Sequence, residues 1–284
     1  MYAITGTTGH VGGAAARTLQ EKGLPVRRVV RNAARATGQD AGTETVVADL
    51  GDRDALTDAF RDSDGAFVLL PTLPSGSDTE HRRIADTIAA AVDASGVPHV
   101  VALSSWGADR ADGTGPIRWL NHLEHALTGT RAVVTAVRAP HFQEKVETTL
   151  DAATGAGIHP VFAPSADVDA AMVATRDIGA VVAAALAAPP KSSEIVQLDA
   201  PHYSERDVAR RLGARLNRDL DVVVLPRETW EPTLIDAGLS PTLAAEIAAL
   251  YDAVARGLLQ PAGDRVHRCH TELDSTLAGL IALV

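Results

Sequence analysis

Apolar and polar positions along this chain form short β-type runs and longer helical runs that take turns. Tyr2–Thr5 is a short β-prone run, and after a glycine-bearing turn a helical pattern runs from Ala14 to Lys22. Val26–Val30 and Thr45–Ala48 predict a second and a third strand, Asp54–Phe60 a helix, and Ala66–Leu70 a fourth strand. That fourth run is wholly apolar, as expected of a strand buried on both faces of a sheet. Glu80–Ser95 predicts a long alanine-rich helix closed by Gly96, Val97–Leu103 a fifth strand, Ile117–Leu127 a helix and Ala132–Val137 a sixth strand. A strand-helix rhythm of this kind predicts a doubly wound parallel α/β sheet with helices on both faces.

Past Pro140 the rhythm changes. Val146–Ala153 reads as helical, and residues 155–169 are rich in Gly, Pro and Ser. Asp177–Ala187 predicts a helix feeding a strand, Glu194–Leu198, that returns to the main sheet. Helices Ser204–Leu216 and Pro241–Gly257 then flank a strand at Asp221–Leu225.

The turn after the first strand carries Gly6, Gly9 and Gly12, and each glycine has a physical use there. Gly6 permits the tight turn, Gly9 lets a pyrophosphate approach bare backbone, and Gly12 lets the helix lie against its strand. The helix N-terminus then presents free N–H groups and a positive dipole to the phosphates. Strand, turn and helix in this order imply a Rossmann dinucleotide site. The expected division is a NAD(P)-binding domain of residues 1–140 with about 170–200, and a smaller substrate or lid domain of residues 141–169 with 201–284. The second strand ends at Arg31, with Arg28 and Arg35 nearby and no acid before Asp40. An Arg at this place suits a ribose 2′-phosphate where an Asp or Glu would suit a 2′-hydroxyl, so NADP(H) is favoured over NAD(H).

Composition narrows the partners. A net charge of −10 argues against a nucleic-acid surface, although Arg17, Arg27, Arg28, Arg31 and Arg35 cluster in sequence. The single cysteine, Cys269, excludes an internal disulfide and fits a reducing compartment. No apolar run reaches the roughly 18 residues of a membrane span, and the glycine-rich start does not read as a signal peptide. A cytoplasmic protein acting on a small molecule is expected.

Taken together, Thr5–Gly12, Asp49-Leu50, Leu103–Ala108, Arg138–Phe142, the Arg176–Gly179 helix start and Tyr203-Ser204-Glu205 resemble the NmrA-like branch of the atypical short-chain dehydrogenase/reductases. That branch includes NADPH:quinone oxidoreductases, isoflavone-type reductases and redox-sensing regulators. The resemblance implies that Gly6, Thr7, Thr8, Gly9, His10, Val11 and Gly12 hold the phosphates, and that Arg31 meets the 2′-phosphate. It implies further that Asp49 and Leu50 flank the adenine and that Leu70 and Pro71 line the ribose side. Ser104 and Ser105 would approach the nicotinamide ribose, and Pro140, His141 and Phe142 the nicotinamide ring. A homodimer is a possible assembly.

The chain departs from the wider superfamily where that group keeps a Tyr and a Lys four residues apart for proton delivery. The residues four after Tyr2, Tyr203 and Tyr251 are Gly6, Asp207 and Ala255, and none of Lys22, Lys145 and Lys191 falls in Ile117–Leu127. Where some relatives keep a Lys before the acid that aligns with Glu124, this chain has Leu120, and the usual Glu-Asn after the aromatic reads Gln143-Glu144-Lys145. His122 and His125, on one predicted helix, and His141 are therefore the candidate proton donors, because an imidazole titrates near neutrality. Lys145 could set a cation beside a substrate carbonyl, against the simpler reading of a solvated lysine. Trp106 and Trp119 could stack on an aromatic substrate, against the simpler reading of packing. A metal site is not expected, since His122-x-x-His125 has no third ligand and His267-x-Cys269-His270 reads as part of a late loop. With no G-x-S-x-G elbow, Ser104 and Ser105 do not suggest a hydrolase.

The leading expectation is an NADPH-dependent oxidoreductase acting on a quinone-like or aromatic molecule by hydride transfer. A quinone acceptor relaxes the need for a dedicated acid, because water can protonate a hydroquinone anion. The alternatives are a non-catalytic NADP(H)-binding redox sensor and a natural-product tailoring enzyme on the same scaffold.

Overall fold

Thirteen strands run through residues 1–32 and 42–282, the part of the chain that the structure, a computed structural model, describes. In chain order they are β1 (Tyr2–Thr5), β2 (Val26–Val30), β3 (Thr43–Val47), β4 (Gly65–Val68), β5 (His99–Ser105), β6 (Val133–Ala139), β7 (His141–Phe142), β8 (Ile158–Val161), β9 (Ala170–Val173), β10 (Glu194–Asp199), β11 (His202–Tyr203), β12 (Asp221–Val224) and β13 (Arg265–Arg268). Eight of them form one sheet in the order β3-β2-β1-β4-β5-β6-β10-β13, with every neighbouring pair parallel. The doubly wound sheet expected from the strand-helix rhythm is therefore present, and Glu194–Asp199 does return to it beside β6.

Parallel strands need crossovers, and five helices stand in such connections: α1 (His10–Glu21), α2 (Arg53–Phe60), α3 (Asp78–Ser95), α4 (Ile117–Thr128) and α5 (Thr175–Ala187). The first and last cover one face of the sheet and the middle three the other. Successive strand residues point to opposite faces, so the core is split accordingly. Ile4, Phe67 and Val101 pack with Leu19, Ile178 and Leu186. Their neighbours Ala3, Val68 and Val100 pack with Phe60, Ile88 and Leu123. Start signals agree with this layout: Ser77 and Glu80 form a reciprocal capping box at α3, and Gly96 closes it at φ 71°. Gly179 lets α5 lie directly on α1, since a Cβ there would sit 2.5 Å from the Ala14 Cβ.

The later elements build a smaller group with an apolar cluster of its own. β11, β9 and β7 form one small sheet and β12 pairs with β8 in another. Helices α6 (Glu205–Leu216), α7 (Trp230–Asp236), α8 (Pro241–Ala255) and α9 (Leu273–Ile281) complete it. Two details depart from expectation. Val146–Ala153 is not a regular α-helix: residues 143–149 are wound as a tight 3₁₀ turn and residues 152–156 as a π segment. The hydroxyls of Thr148 and Thr149 donate to carbonyls three residues back, which favours the tighter winding. The His267-x-Cys269-His270 stretch is also only partly a loop, because His267 lies on Arg265–Arg268, which adds to the main sheet as its edge strand, and Cys269 and His270 follow it. Cys269 is buried there with its thiol pushed up to about 12 by burial, and among the described residues no group of three His, Cys, Asp or Glu side chains is placed to hold a metal ion.

His99, on β5, gives the fold a pH dependence. Its ring is 1% exposed, with Nε2 against the Thr135 hydroxyl at 3.0 Å, and burial lowers its pKa to about 4. The native imidazole is therefore neutral where the unfolded one, titrating near the ordinary histidine value of 6.5, takes up a proton. Stability from this group is complete above that unfolded value and is lost as pH falls toward the folded one. The loss between about pH 7 and about pH 5 is about 2 kcal/mol. Urea unfolding at the two pH values should show it, and His99→Asn should flatten the slope by that amount.

Candidate functional site

The carboxyl ends of the parallel strands carry the loops that flank the switch point between β1 and β4. Gly6 follows β1 at φ 64°, and a Cβ on it would lie 2.5 Å from the Leu69 Cδ2 just after β4. At Gly12 a Cβ would lie 2.4 Å from the Gly6 carbonyl oxygen and 2.5 Å from that of Thr5. Helix α1 is thus pressed onto its own strand, as expected of the third glycine. Gly9 stands at the N-cap of α1 and no side chain caps that end. The first-turn N–H groups, which have no intrahelical acceptor, are left facing the crevice. Beneath the turn, the Thr5 hydroxyl donates to the Phe67 carbonyl at 3.0 Å and ties β1 to β4.

The other expected cofactor positions fall around this turn. Arg31 is exposed just past β2, while Arg35 and Asp40 lie outside the described residues. Asp49 follows β3 and accepts from the Gly51 N–H at 2.8 Å, with Leu50 packed on the core below. Leu70 and Pro71 are half-buried after β4. Ser104 and Ser105 end β5, but they differ: Ser104 is 3% exposed and donates to Glu124 at 2.5 Å, leaving Ser105 the accessible one. Pro140 joins β6 to β7, which holds His141 and Phe142 beside Met172 and Val173 of β9. His10, the first residue of α1, meets Glu147 of the 3₁₀ turn at 3.1 Å, so the glycine turn abuts the 143–149 segment.

His122 and His125 are not brought to this crevice. Their helix α4 lies on the face opposite α1, where His122 contacts Asp86 of α3 at 2.7 Å and His125 is exposed in the last turn. The inward position between them, Glu124, is taken up by Arg138, which donates from Nε at 2.9 Å and from Nη2 at 2.6 Å. Of Trp106 and Trp119, the second is a packing residue and the first is half-buried. Trp119 is 2% exposed and stacks on His81 at 3.6 Å, and the Trp106 indole donates to the Leu198 carbonyl.

His141 instead lies among charged groups that the sequence did not bring together. Lys145 and Glu205 are both exposed, and their charges both act on His141. Burial holds the His141 ring down to about 4, helped by the Lys145 charge. Burial also lowers the Lys145 ammonium, opposed by Glu205. Glu205 stays below the usual carboxylate range: burial would raise it, but His159 at 2.8 Å and the charges of His141 and Lys145 outweigh that. Tyr251, raised to about 12 by burial and by Glu205, stacks on Phe162 at 5.1 Å, and Trp230 meets its ring edge-on at 5.9 Å. These residues come from β7, β8, α6, α7 and α8 or the turns beside them, so no local motif marks them. The one signal was composition: with only four Phe, three Tyr and three Trp in the chain, three converging on one place is notable.

A parallel sheet ordered β3-β2-β1-β4-β5-β6, with an open glycine turn at its switch point, defines a Rossmann-type α/β protein. Over residues 2–262 the chain matches the NmrA-like family, and it belongs to that family. It is 33% identical over 221 residues to the (4-alkanoyl-5-oxo-2,5-dihydrofuran-3-yl)methyl phosphate reductase of Streptomyces griseus, covering 78% of this chain and 74% of that one. It is 27% identical over 253 residues to the NAD(P)H azoreductase of Xenophilus azovorans, covering 88% and 86%. Among solved structures, triphenylmethane reductase of Citrobacter sp. superimposes with a TM-score of 0.83 at 20% identity, covering 99% of both chains. The NADPH-dependent quinone oxidoreductase of Escherichia coli, complexed with NADPH, gives 0.76 at 21%, covering 99% of this chain and 100% of that one. Among the described residues no helix is long and apolar enough to cross a membrane.

Proposed function

We propose that this protein is an NADPH-dependent oxidoreductase that reduces a small quinone-like or aromatic molecule. The observation that carries the reading is the juxtaposition of the uncapped glycine turn with the 143–149 segment through His10 and Glu147. That contact would set a cofactor cradle beside the segment that follows His141 and Phe142. The named activities of the relatives, all reductases, support the same reading.

The residues present fit NADP(H). Gly6 to Gly12 form a cradle that a Cβ at Gly12 would fill, and the free N–H groups of α1 suit a pyrophosphate. Arg31 would pair with the 2′-phosphate, Asp49 and Leu50 would flank the adenine, and Leu70, Pro71 and Ser105 would line the ribose side. Pro140, His141 and Phe142 would border the nicotinamide, with Ser104 supporting Ser105 from below. Bound NADPH supplies a hydride. The chain's own part is to hold His141 uncharged at neutral pH, so that its imidazole offers a hydrogen bond and no charge.

The test follows NADPH absorbance with a panel of quinones and azo or triphenylmethane dyes, beside a binding titration. Acceptor-dependent oxidation supports the reading. Tight binding without turnover would replace it with a redox sensor or a non-redox tailoring enzyme. Arg31→Ala is expected to weaken NADPH binding about tenfold or more, the worth of one charged hydrogen bond, and to leave NADH binding unchanged. Equal losses for both cofactors would remove Arg31 from the 2′-phosphate.

A further inference from the structure

His81, near the start of α3, is fully buried, and both of its ring nitrogens are engaged. Nε2 faces the Leu73 N–H at 3.0 Å and Nδ1 faces the Ser77 carbonyl at 2.7 Å. A backbone N–H donates and a carbonyl accepts, so Nε2 is the bare acceptor and Nδ1 carries the proton. Stacking on Trp119 at 3.6 Å, with 5° between the planes, keeps the ring in that orientation. Trp119 is fixed in turn, because its indole donates to Asp78 at 2.8 Å, and Asp78 is paired with Arg82 and Arg118.

What the ring holds is the loop of residues 71–77. The loop leaves the sheet two residues after Leu69, the side chain that a Gly6 Cβ would strike. Pro71 and Pro74 have no N–H to give, and the N–H of Leu73 between them goes to His81. The Leu73 carbonyl accepts from the Gly76 N–H at 3.1 Å, which turns the loop back on itself. The fit is tight: a Cβ on Gly76 would lie 2.6 Å from the Leu73 Cβ and 2.9 Å from the His81 Cε1. An apolar ring would serve for packing alone. The imidazole adds a bond that reaches out of its helix to the loop.

We propose that His81 is a positioning residue for the cofactor pocket: with its proton on Nδ1 it fastens the 71–77 loop through Leu73 and so fixes the wall that begins at Pro71. This rests on the NADPH reading, in which Leu70 and Pro71 line the ribose side. His81 acts through Leu73 and is not itself a contact to the cofactor.

Two variants of the full-length protein separate the two nitrogens. His81→Gln places an amide oxygen at about the reach of Nε2 and keeps an acceptor for Leu73, whereas His81→Asn reaches only as far as Nδ1 and strands that N–H. Both lose the stack on Trp119 alike, so a difference between them reports the loop and not the core. His81→Asn is expected to speed hydrogen exchange at the Leu73 amide, followed by NMR without cofactor. It should also weaken NADPH binding about fivefold, within the worth of one hydrogen bond. His81→Gln should restore both readouts. Gly76→Ala, which leaves the imidazole's chemistry intact but forces ring and loop apart, should match His81→Asn. The ring-nitrogen NMR shifts of wild-type His81 should show a protonated Nδ1 and a bare Nε2. A proton on Nε2, equal Leu73 exchange in the Asn and Gln variants, or unchanged NADPH affinity in His81→Asn would overturn the proposal. If the wild-type protein binds no NADPH, the cofactor reading fails and the pocket role with it. Exchange and ring shifts, taken without cofactor, then still show whether His81 holds Leu73.

Discussion

Gly12→Ala is expected to abolish measurable NADPH binding and to lower the melting temperature. The new Cβ would arrive 2.4 Å from the Gly6 oxygen and 2.5 Å from the Thr5 oxygen, and both obstacles are backbone. Neither can retreat cheaply: Thr5 is bonded through its hydroxyl to β4, and Gly6 is backed by Leu69. Overpacking of this kind costs about 1–3 kcal/mol in stability. It also tilts α1 off its strand and moves the N–H groups that would hold the pyrophosphate. Losing even two such bonds to a charged group, at about 1.5–3 kcal/mol each, weakens binding by about a hundredfold or more. Gly9→Ala supplies the contrast. Its Cβ would meet the Gly6 oxygen at 3.5 Å, an ordinary contact, so the fold should be unaffected. If a pyrophosphate approaches that backbone, binding still falls. Calorimetric titration with NADPH beside thermal unfolding separates the two outcomes. Intact stability in Gly12→Ala would mean that α1 is not held against β1 in the way the packing indicates.

The glycine turn proposed to hold the cofactor was legible because its information is local. Glycines at fixed offsets between a strand and a helix announce a turn that only backbone can fill, and the Arg31 position is a strand end that the hydropathy pattern locates directly. The same holds for the sheet, whose strands are short apolar runs separated by amphipathic helices. The later chain was not legible in this way. His159 meets Glu205 and Phe162 meets Tyr251 only because the small sheets and helices of the later chain fold back together. His122 and His125 illustrate the converse error. Spacing correctly put them on one helix, but spacing cannot say which way a helix faces, and α4 turns its inward stripe, Leu123 and Leu127, to the core. The edge strand β13 escaped because Arg-Val-His-Arg is polar at three of its four positions, as an exposed edge can be.

Glu124→Ala is the second large effect, and it distinguishes a structural acid from a chemical one. Glu124 stands where the family resemblance aligns an acid, and both its oxygens already accept hydrogen bonds. They accept two bonds from Arg138 and one from Ser104, and the Arg138 guanidinium, 5% exposed as a residue, also reaches the Ala262 carbonyl. The network fastens α4 to the ends of β5 and β6, the two strands from which Ser105 and Pro140 lead into the crevice. Removing the carboxylate leaves a buried arginine with no counter-charge, a loss of about 3–5 kcal/mol and roughly 10 °C in melting temperature. Glu124→Leu combined with Arg138→Met should recover most of that loss, because two apolar side chains of similar size need no partner. Urea unfolding of the two singles and the double measures the coupling. A double variant as unstable as Glu124→Ala would mean that the ion pair itself, and not merely the avoidance of a stranded charge, holds these strands together. If the double variant also keeps its affinity for NADPH, Glu124 acts on the crevice only by fixing the strands that border it.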